Sequence, residues 1–139
     1  MKQALIIYQS KTGTTKKYGF AIRDYLQSLN IEAKAIPVQN YTLEEIENAD
    51  YVFLGCWTSG LFIILQHPDK IWSEFAQKLP DLSNKKVVLF TTYKLLTGSM
   101  FRNMEKQISN KIKRIELTFK AKNTVLSEKD KKELQNLIS

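Results

Sequence analysis

Short apolar runs alternate with stretches of helical periodicity from one end of the chain to the other. The runs at residues 3–8, 51–55 and 87–90 are continuously apolar, as expected for strands that are buried on both faces. Strict alternation of strands with helices indicates an α/β fold, because each helix covers the sheet between two parallel strands. No linker, repeat or low-complexity tract interrupts the pattern, so we predict one domain over residues 1–139.

The segments between these runs predict helices. Residues 14–29 carry one apolar stripe, formed by Tyr18, Ala21, Ile22, Tyr25 and Leu29. Thr42 and Glu45 have the spacing of a capping box and predict a short helix over residues 43–48. Ser127 with Asp130 predicts the start of a last helix.

Two more helices are predicted in the middle of the chain. Pro68 is placed in the first turn of one of them, where a helix tolerates proline. The inner face of that helix is predicted to consist of Ile71, Trp72, Phe75 and Leu79. The stripe of the other helix consists of Met100, Phe101, Met104 and Ile108.

The remaining strands are predicted at residues 32–38 and 115–120. In the last strand Ile115, Leu117 and Phe119 alternate with polar residues, which indicates one wet face and therefore an edge position. Five strands and five helices joined by right-handed crossovers predict a doubly wound parallel sheet. Ligands of such sheets bind beyond the carboxyl ends of the strands, so functional residues are expected after the first, third and fourth strands.

Composition limits the functional classes. A single cysteine, Cys56, cannot form an internal disulfide, a CxxC pair or a zinc site, and it is interpreted as a small buried residue. No apolar run approaches the roughly 20 residues of a membrane span, and no signal peptide is recognisable, so a cytoplasmic location is expected. His67, just before a proline, is interpreted as a residue at a helix start.

The net charge of +7 is concentrated at the end of the chain. Residues 1–100 carry 11 basic and 9 acidic side chains, whereas residues 101–139 carry 10 and 5. Such a surface attracts acidic partners or nucleic acid. Nucleic acid is disfavoured because aromatic residues do not interleave with the basic ones, and ordinary lysine-rich helices would give the same composition.

Small polar residues are concentrated between the first strand and its helix. The segment 9–17, QSKTGTTKK, contains Ser10, Thr12, Gly13, Thr14 and Thr15. The start of a helix offers free N–H groups and the positive end of its dipole, hydroxyls add donors, and a glycine lets the backbone approach a guest closely. A phosphate is therefore the expected occupant. Neither GxxxxGK[ST] nor GxGxxG occurs in the chain.

The segment Ser10-Lys11-Thr12-Gly13-Thr14-Thr15 resembles the flavodoxin phosphate loop, [ST]-x-T-G-x-T. In that family the loop holds the phosphate of FMN without a basic side chain. The resemblance implies FMN as the cofactor and a short-chain, flavodoxin-like sheet with strand order 2-1-3-4-5. The family also implies that the loops after the third and fourth strands hold the flavin ring.

Two aromatic residues are the candidates for stacking on that ring. The loops contain Cys56, Trp57 and Thr58 after the third strand, and Thr91, Thr92 and Tyr93 after the fourth. Flavodoxins usually carry G-x-[PS]-T-W in the first of these loops. Here the tryptophan precedes the threonine and Ser59 stands in the family's tryptophan position, so either Trp57 stacks from a differently bent loop or one flavin face is left open.

The resemblance predicts an electron carrier between redox proteins, rather than a stand-alone enzyme. The positive charge of this chain predicts that those proteins have acidic docking surfaces. One alternative is an oxidoreductase for a hydrophobic acceptor such as a quinone or tetrapyrrole. In that case the apolar residues 61–65 would form the acceptor site or a docking patch, although they can equally fold beneath the neighbouring helix. A second alternative is a flavin-free basic binding module.

Overall fold

The computed structural model describes residues 1–59, 66–94 and 97–139, and the apolar residues 61–65 lie outside these ranges. Strands and helices alternate along the described chain. In chain order they are β1 (Gln3–Gln9), α1 (Thr14–Ser28), β2 (Glu32–Pro37), α2 (Leu43–Asn48), β3 (Tyr51–Trp57), α3 (Lys70–Lys78), β4 (Lys86–Thr92), α4 (Met100–Ile108), β5 (Ile115–Ala121) and α5 (Glu128–Ile138).

The strands form a parallel sheet in the order β2-β1-β3-β4-β5, which confirms the predicted fold class. Leu5 of β1 is in register with Lys34 of β2 on one side and with Val52 of β3 on the other. The chain reverses its direction of winding between β1 and β3, so the loops that follow these strands diverge and leave a crevice. β5 lies at an edge of the sheet, as its alternating pattern predicts.

Helices cover both faces of the sheet and produce two hydrophobic clusters. On one face Ala4 and Ile6 pack with Tyr18 and Ile22 of α1 and with Leu134 of α5. On the other face the core residues come from the opposite sides of the same strands and from α2, α3 and α4; they include Leu5, Ile7, Ile46, Trp72, Phe75 and Met104. Burial on both faces explains why the central strands are continuously apolar.

Local capping signals place two of the helices as predicted. Thr42 and Glu45 form the complete capping box: the Glu45 N–H donates to the Thr42 hydroxyl at 3.1 Å, and the Thr42 N–H donates to the Glu45 carboxylate at 3.0 Å. Ser127 caps α5 by accepting from the Asp130 N–H at 3.1 Å. Each cap satisfies an N–H group that the helix itself leaves without a partner.

The prediction for α3 requires two corrections. The helix begins at Lys70 after the capping residue Asp69, so Pro68 precedes the helix instead of occupying its first turn. Ile71 is 47% exposed and does not belong to the inner face, whereas Trp72 and Phe75 are buried. The buried stripe consists of Trp72, Phe75, Ala76 and Leu79 at the spacing i, i+3, i+4 and i+7, and Ile71 lies outside it.

Within the ranges that the structure describes, no helix combines the length and the apolar character needed to cross a membrane.

Candidate functional site

The loop after β1 turns sharply into α1 at Gly13. Its φ of +97° lies in the left-handed region, which glycine adopts without strain. A Cβ atom at Gly13 would meet nothing within 4 Å, so it is the backbone angle, and not crowding, that favours glycine. The Ser10 hydroxyl accepts from the Gly13 N–H at 3.0 Å and from the Lys16 N–H at 3.3 Å. Ser10 thereby holds the loop in a closed turn around the start of the helix.

The start of α1 has the properties of an anion site. Gly13 is its N-cap residue and has no side chain to cap the helix, and its first turn contains no acidic residue. Ser10 accepts from the Lys16 N–H, whereas the N–H groups of Thr14 and Thr15 have no partner among the described residues. The first N–H groups of a helix have no partner within the helix, and its dipole is positive at this end. Thr12 is exposed and Thr14 is half-buried, and their hydroxyls form no hydrogen bond within the described parts of the chain. The start of α1 therefore offers the N–H groups of Thr14 and Thr15 and the hydroxyls of Thr12 and Thr14, and such donors suit a phosphate group.

Thr15 differs from its neighbours in the same motif. It is buried, and its hydroxyl lies 2.6 Å from the hydroxyl of Thr92 at the end of β4. The Thr15 hydroxyl therefore connects α1 to β4 of the sheet. Its hydrogen-bond partner is the Thr92 side chain of the protein itself. The sequence motif groups Thr15 with Thr12 and Thr14, but the structure gives it this different position.

The ends of β3 and β4 are joined by threonine hydroxyls. The Thr91 hydroxyl donates to the Cys56 carbonyl at 2.6 Å, and the Thr58 hydroxyl lies 2.8 Å from that of Thr91. The Thr58 N–H donates to the Thr92 carbonyl at 2.8 Å. Because Thr92 also contacts Thr15, these bonds connect the start of α1 with the ends of β3 and β4.

Trp57 is anchored by an aspartate that the sequence analysis did not select. The indole Nε1 donates to Asp69 Oδ2 at 2.7 Å, and Gln9 Nε2 donates to the same oxygen at 3.0 Å. The Lys11 ammonium nitrogen lies 4.7 Å from the centroid of the Trp57 ring, a cation–π contact. Asp69 is recognisable in the sequence as a helix cap, but no local signal connects it to Gln9 or Trp57.

Tyr93 lies at the end of β4 beside the edge strand. Its N–H donates to the Ala121 carbonyl at 3.1 Å. The ammonium groups of Lys120 and Lys122 lie 5.9 and 5.7 Å from the centroid of its ring. Tyr93 is half-buried, so part of its ring is accessible.

A rim of exposed lysines surrounds the three loops. We call it the lysine rim, and it consists of Lys11, Lys16, Lys17, Lys94, Lys120 and Lys122. Within the described ranges none of these lysines forms an ion pair. The Asp69 carboxylate, by contrast, is half-buried and hydrogen-bonded. The edge of the site that faces solvent is therefore positively charged.

Cys56 and His67 have structural surroundings. Cys56 is fully buried, and burial raises the pKa of its thiol well above the usual range, so the thiol stays protonated at neutral pH. His67 pairs with Ser59 in an isolated bridge, and its Nδ1 lies 2.8 Å from the Pro68 carbonyl oxygen. The interpretation of Cys56 as a small buried residue is confirmed. Among the described residues, no group of three His, Cys, Asp or Glu side chains could hold a metal ion.

The predicted site residues lie together at the carboxyl edge of the sheet. They are Ser10, Lys11, Thr12, Gly13, Thr14, Thr15, Cys56, Trp57, Thr58, Thr91, Thr92 and Tyr93. The carboxyl ends of parallel strands share one edge, so β1, β3 and β4 place their following residues side by side. Direct contact of each residue with a cofactor stays a prediction. The donors at α1 fit a phosphate, and the half-buried rings of Trp57 and Tyr93 offer flat apolar surfaces near it.

Comparisons with known proteins agree with this geometry. The flavodoxin domain family matches residues 5–129. The chain is 36% identical over 93 residues to the flavodoxin-like domain-containing protein BilS of Clostridioides difficile, a match that covers 65% of this chain and 46% of BilS. It is 28% identical over 108 residues to the flavodoxin of Clostridium beijerinckii, which covers 75% and 74% of the two chains. The match thus spans less than half the length of BilS.

A solved structure gives the same view of the fold. The solution structure of two-electron reduced Megasphaera elsdenii flavodoxin superimposes with a TM-score of 0.74 and 20% identity, covering 94% of both chains. At this identity the likeness concerns the fold. It extends over nearly the full described sheet and its helices.

Proposed function

The chain belongs to the flavodoxin family, and from that premise we propose that it binds FMN non-covalently and carries electrons between redox partner proteins. The observation that carries the proposal is the start of α1, where the N–H groups of Thr14 and Thr15 have no partner among the described residues. There Gly13 opens a turn lined by unengaged hydroxyls, at the same sheet edge as Trp57 and Tyr93. Bound FMN would supply the electron-transfer chemistry.

The residues of this chain have separate tasks in that proposal. The amides at the start of α1, with Thr12 and Thr14, bind the phosphate, while Ser10 keeps the loop closed through its two accepted hydrogen bonds. Trp57 and Tyr93 offer aromatic surface to the flavin ring. The threonine bonds between β3, β4 and α1 keep these surfaces at fixed distances from the phosphate loop.

We also propose that residues 1–139 form one domain, because both hydrophobic clusters share the same sheet. A cytoplasmic location is proposed as well. Its support is the single, buried Cys56, since secreted domains of this size commonly carry disulfides.

Titration of the protein with FMN tests the cofactor. We expect saturable quenching of flavin fluorescence at one FMN per chain, with a shifted visible spectrum, because the ring leaves water for an aromatic site. Riboflavin, which lacks the phosphate, should bind at least about a hundredfold more weakly, because it forgoes all the charge-assisted contacts at α1. Inorganic phosphate should compete with FMN. An absence of saturable quenching would contradict the proposed function.

The partner is proposed to be a redox protein with an acidic docking surface, because the lysine rim surrounds the site and has no ion-pair partner among the described residues. Opposite charges steer association and make its rate depend on salt.

Neutralising two rim lysines tests the docking proposal. With an acidic iron–sulfur protein as electron donor, Lys94→Gln with Lys122→Gln should slow reduction of the bound flavin severalfold at low salt and have little effect near 0.5 M salt, because screening removes the steering. The matched control is Lys2→Gln with Lys113→Gln, two exposed lysines at the opposite end of the sheet, which should leave the rate near that of the unmodified protein. Equal effects of the two pairs would refute docking at the rim.

A further inference from the structure

The Asp69 carboxylate joins three separate parts of the site. Its Oδ2 accepts from Trp57 Nε1 at 2.7 Å and from Gln9 Nε2 at 3.0 Å, and its Oδ1 accepts from the Trp72 N–H at 2.8 Å. These donors belong to the ends of β3 and β1 and to the first turn of α3. One oxygen therefore caps a helix, while the other holds two side chains at the edge of the sheet.

We propose that Asp69 is a positioning residue that fixes the orientation of the Trp57 indole and thereby prepares an aromatic surface for the flavin ring. This inference rests on the proposed function. Trp57 ends its strand and is half-buried, so neighbouring side chains enclose its ring only in part. A bond from the indole N–H to a carboxylate is charge-assisted and directional, so it fixes the direction of the indole N–H and limits how the ring can turn.

Other contacts hold the Asp69 carboxylate and the Trp57 ring in place. The N-terminus of α3 provides the Trp72 N–H, which donates to Asp69 Oδ1 at 2.8 Å. Gln9 supplies a second donor to the oxygen that holds Trp57. Lys11 contacts the face of the indole from the phosphate loop, so the anchored ring also touches the loop that is proposed to bind phosphate.

Asp69→Asn separates the two tasks of the carboxylate. Asparagine caps helices about as well as aspartate, so its oxygen can still accept from the Trp72 N–H. Its amide group would then face the Trp57 indole N–H, which cannot bond to another donor, whereas Gln9 can turn its amide to present its oxygen. Asp69→Ser serves as a second variant, because serine also caps helices but has no atom to replace Oδ2.

The first measurement needs no flavin. The part of the tryptophan emission that belongs to Trp57 is found by comparison with Trp57→Phe, since Trp72 is fully buried. We expect acrylamide to quench the Trp57 emission more strongly in Asp69→Asn and in Asp69→Ser than in the unmodified protein. Unchanged quenching of Trp57 in both variants would overturn the inference, whatever the outcome of FMN titration.

The second measurement is a double-mutant cycle on the FMN dissociation constant. Asp69→Asn should raise this constant about tenfold when Trp57 is present, and less than about twofold in the Trp57→Phe background, where there is no indole N–H to anchor. Equal factors in the two backgrounds would overturn the inference. If the unmodified protein bound no FMN, the proposed function would fail, and the quenching comparison would still decide the role of Asp69.

Ser127→Ala is the matched control for lost stability. Ser127 caps α5 through the Asp130 N–H, and α5 contributes none of the predicted site residues. Thermal unfolding should show a stability loss for Ser127→Ala, with Trp57 quenching and FMN affinity unchanged. Matching changes in FMN affinity for Ser127→Ala and Asp69→Asn would assign the effect to stability and overturn the inference.

Discussion

Replacing Thr12 and Thr14 together by valine should weaken FMN binding by about a hundredfold. Both hydroxyls lie at the start of α1 and form no hydrogen bond within the described residues. A hydrogen bond to a charged group contributes about 1.5–3 kcal/mol, so losing two of them removes about 3 kcal/mol, which corresponds to that factor. Valine keeps the shape of threonine, and the loop bonds of Ser10 are untouched. The measurement is fluorescence titration with FMN in phosphate-free buffer.

Riboflavin gives this experiment an internal control, because it has no phosphate for the hydroxyls to contact. Its affinity should be the same for the double variant and for the unmodified protein. Thr118→Val, an exposed change on β5 away from the phosphate loop, should leave both affinities unchanged. Equal loss of FMN and riboflavin affinity would indicate a distorted loop, and unchanged FMN affinity would contradict the phosphate-loop assignment.

Thr15→Val distinguishes the structural residue of the phosphate loop from the residues proposed to bind phosphate, Thr12 and Thr14. The hydroxyl of Thr15 lies against that of Thr92 in a buried position, so the main expected loss is stability, with a smaller change in FMN affinity than in the double variant.

Gly55→Ala should lower the free energy of unfolding by about 3 kcal/mol and the melting temperature by about 10 °C. A Cβ atom at Gly55 would lie 2.1 Å from atoms of the Phe90 ring, and Phe90 is its partner in the neighbouring strand. That ring is fully buried and packs edge-on against Tyr18, so it has no free space into which to move. Relief of the overlap therefore requires displacement of a central strand or of α1. Urea and thermal unfolding measure the effect.

Gly19→Ala is the matched control for Gly55→Ala. It makes the same chemical change at another buried glycine, but there the added Cβ atom would lie 3.5 Å or more from its neighbours, which is ordinary van der Waals contact. Gly19 is in the interior of α1, where alanine is favoured over glycine by up to about 1 kcal/mol. The control should be neutral or stabilising. Similar losses for both variants would show that close packing of Phe90 is not the cause.

The positions of the strands and helices follow from sequence patterns that act over a few residues. The capping box at Thr42, the cap at Ser127 and the edge character of β5 were all predictable, because each depends on neighbours along the chain or on simple alternation. The start of α3 was predicted wrongly because proline in a first turn and proline just before a cap look alike locally. The burial of Ile71 was also wrong, because the buried stripe is set by Trp72, Phe75 and Ala76 and leaves Ile71 outside it.

The site was predictable only in part. Residues that directly follow β1, β3 and β4 could be assigned to one edge of the sheet from topology alone. The partners of individual side chains could not, because they are distant in sequence: Gln9 and Asp69 are 60 residues apart, and Thr15 and Thr92 are 77 apart. Residues 61–65 lie outside the described ranges, so the prediction of an acceptor site or docking patch there stays a prediction.

The sequence alone determined where the strands and helices lie, through periodicity and capping. It also determined which loop suits an anion, through the glycine at position 13. Both features depend on backbone geometry within a turn or two. Only the tertiary structure decided that Thr15 bonds to Thr92 and that Asp69 holds Trp57. The physical reason is that a hydrogen bond requires atoms about 3 Å apart in defined directions. Such distances between remote residues exist only after the sheet has brought its strands into register.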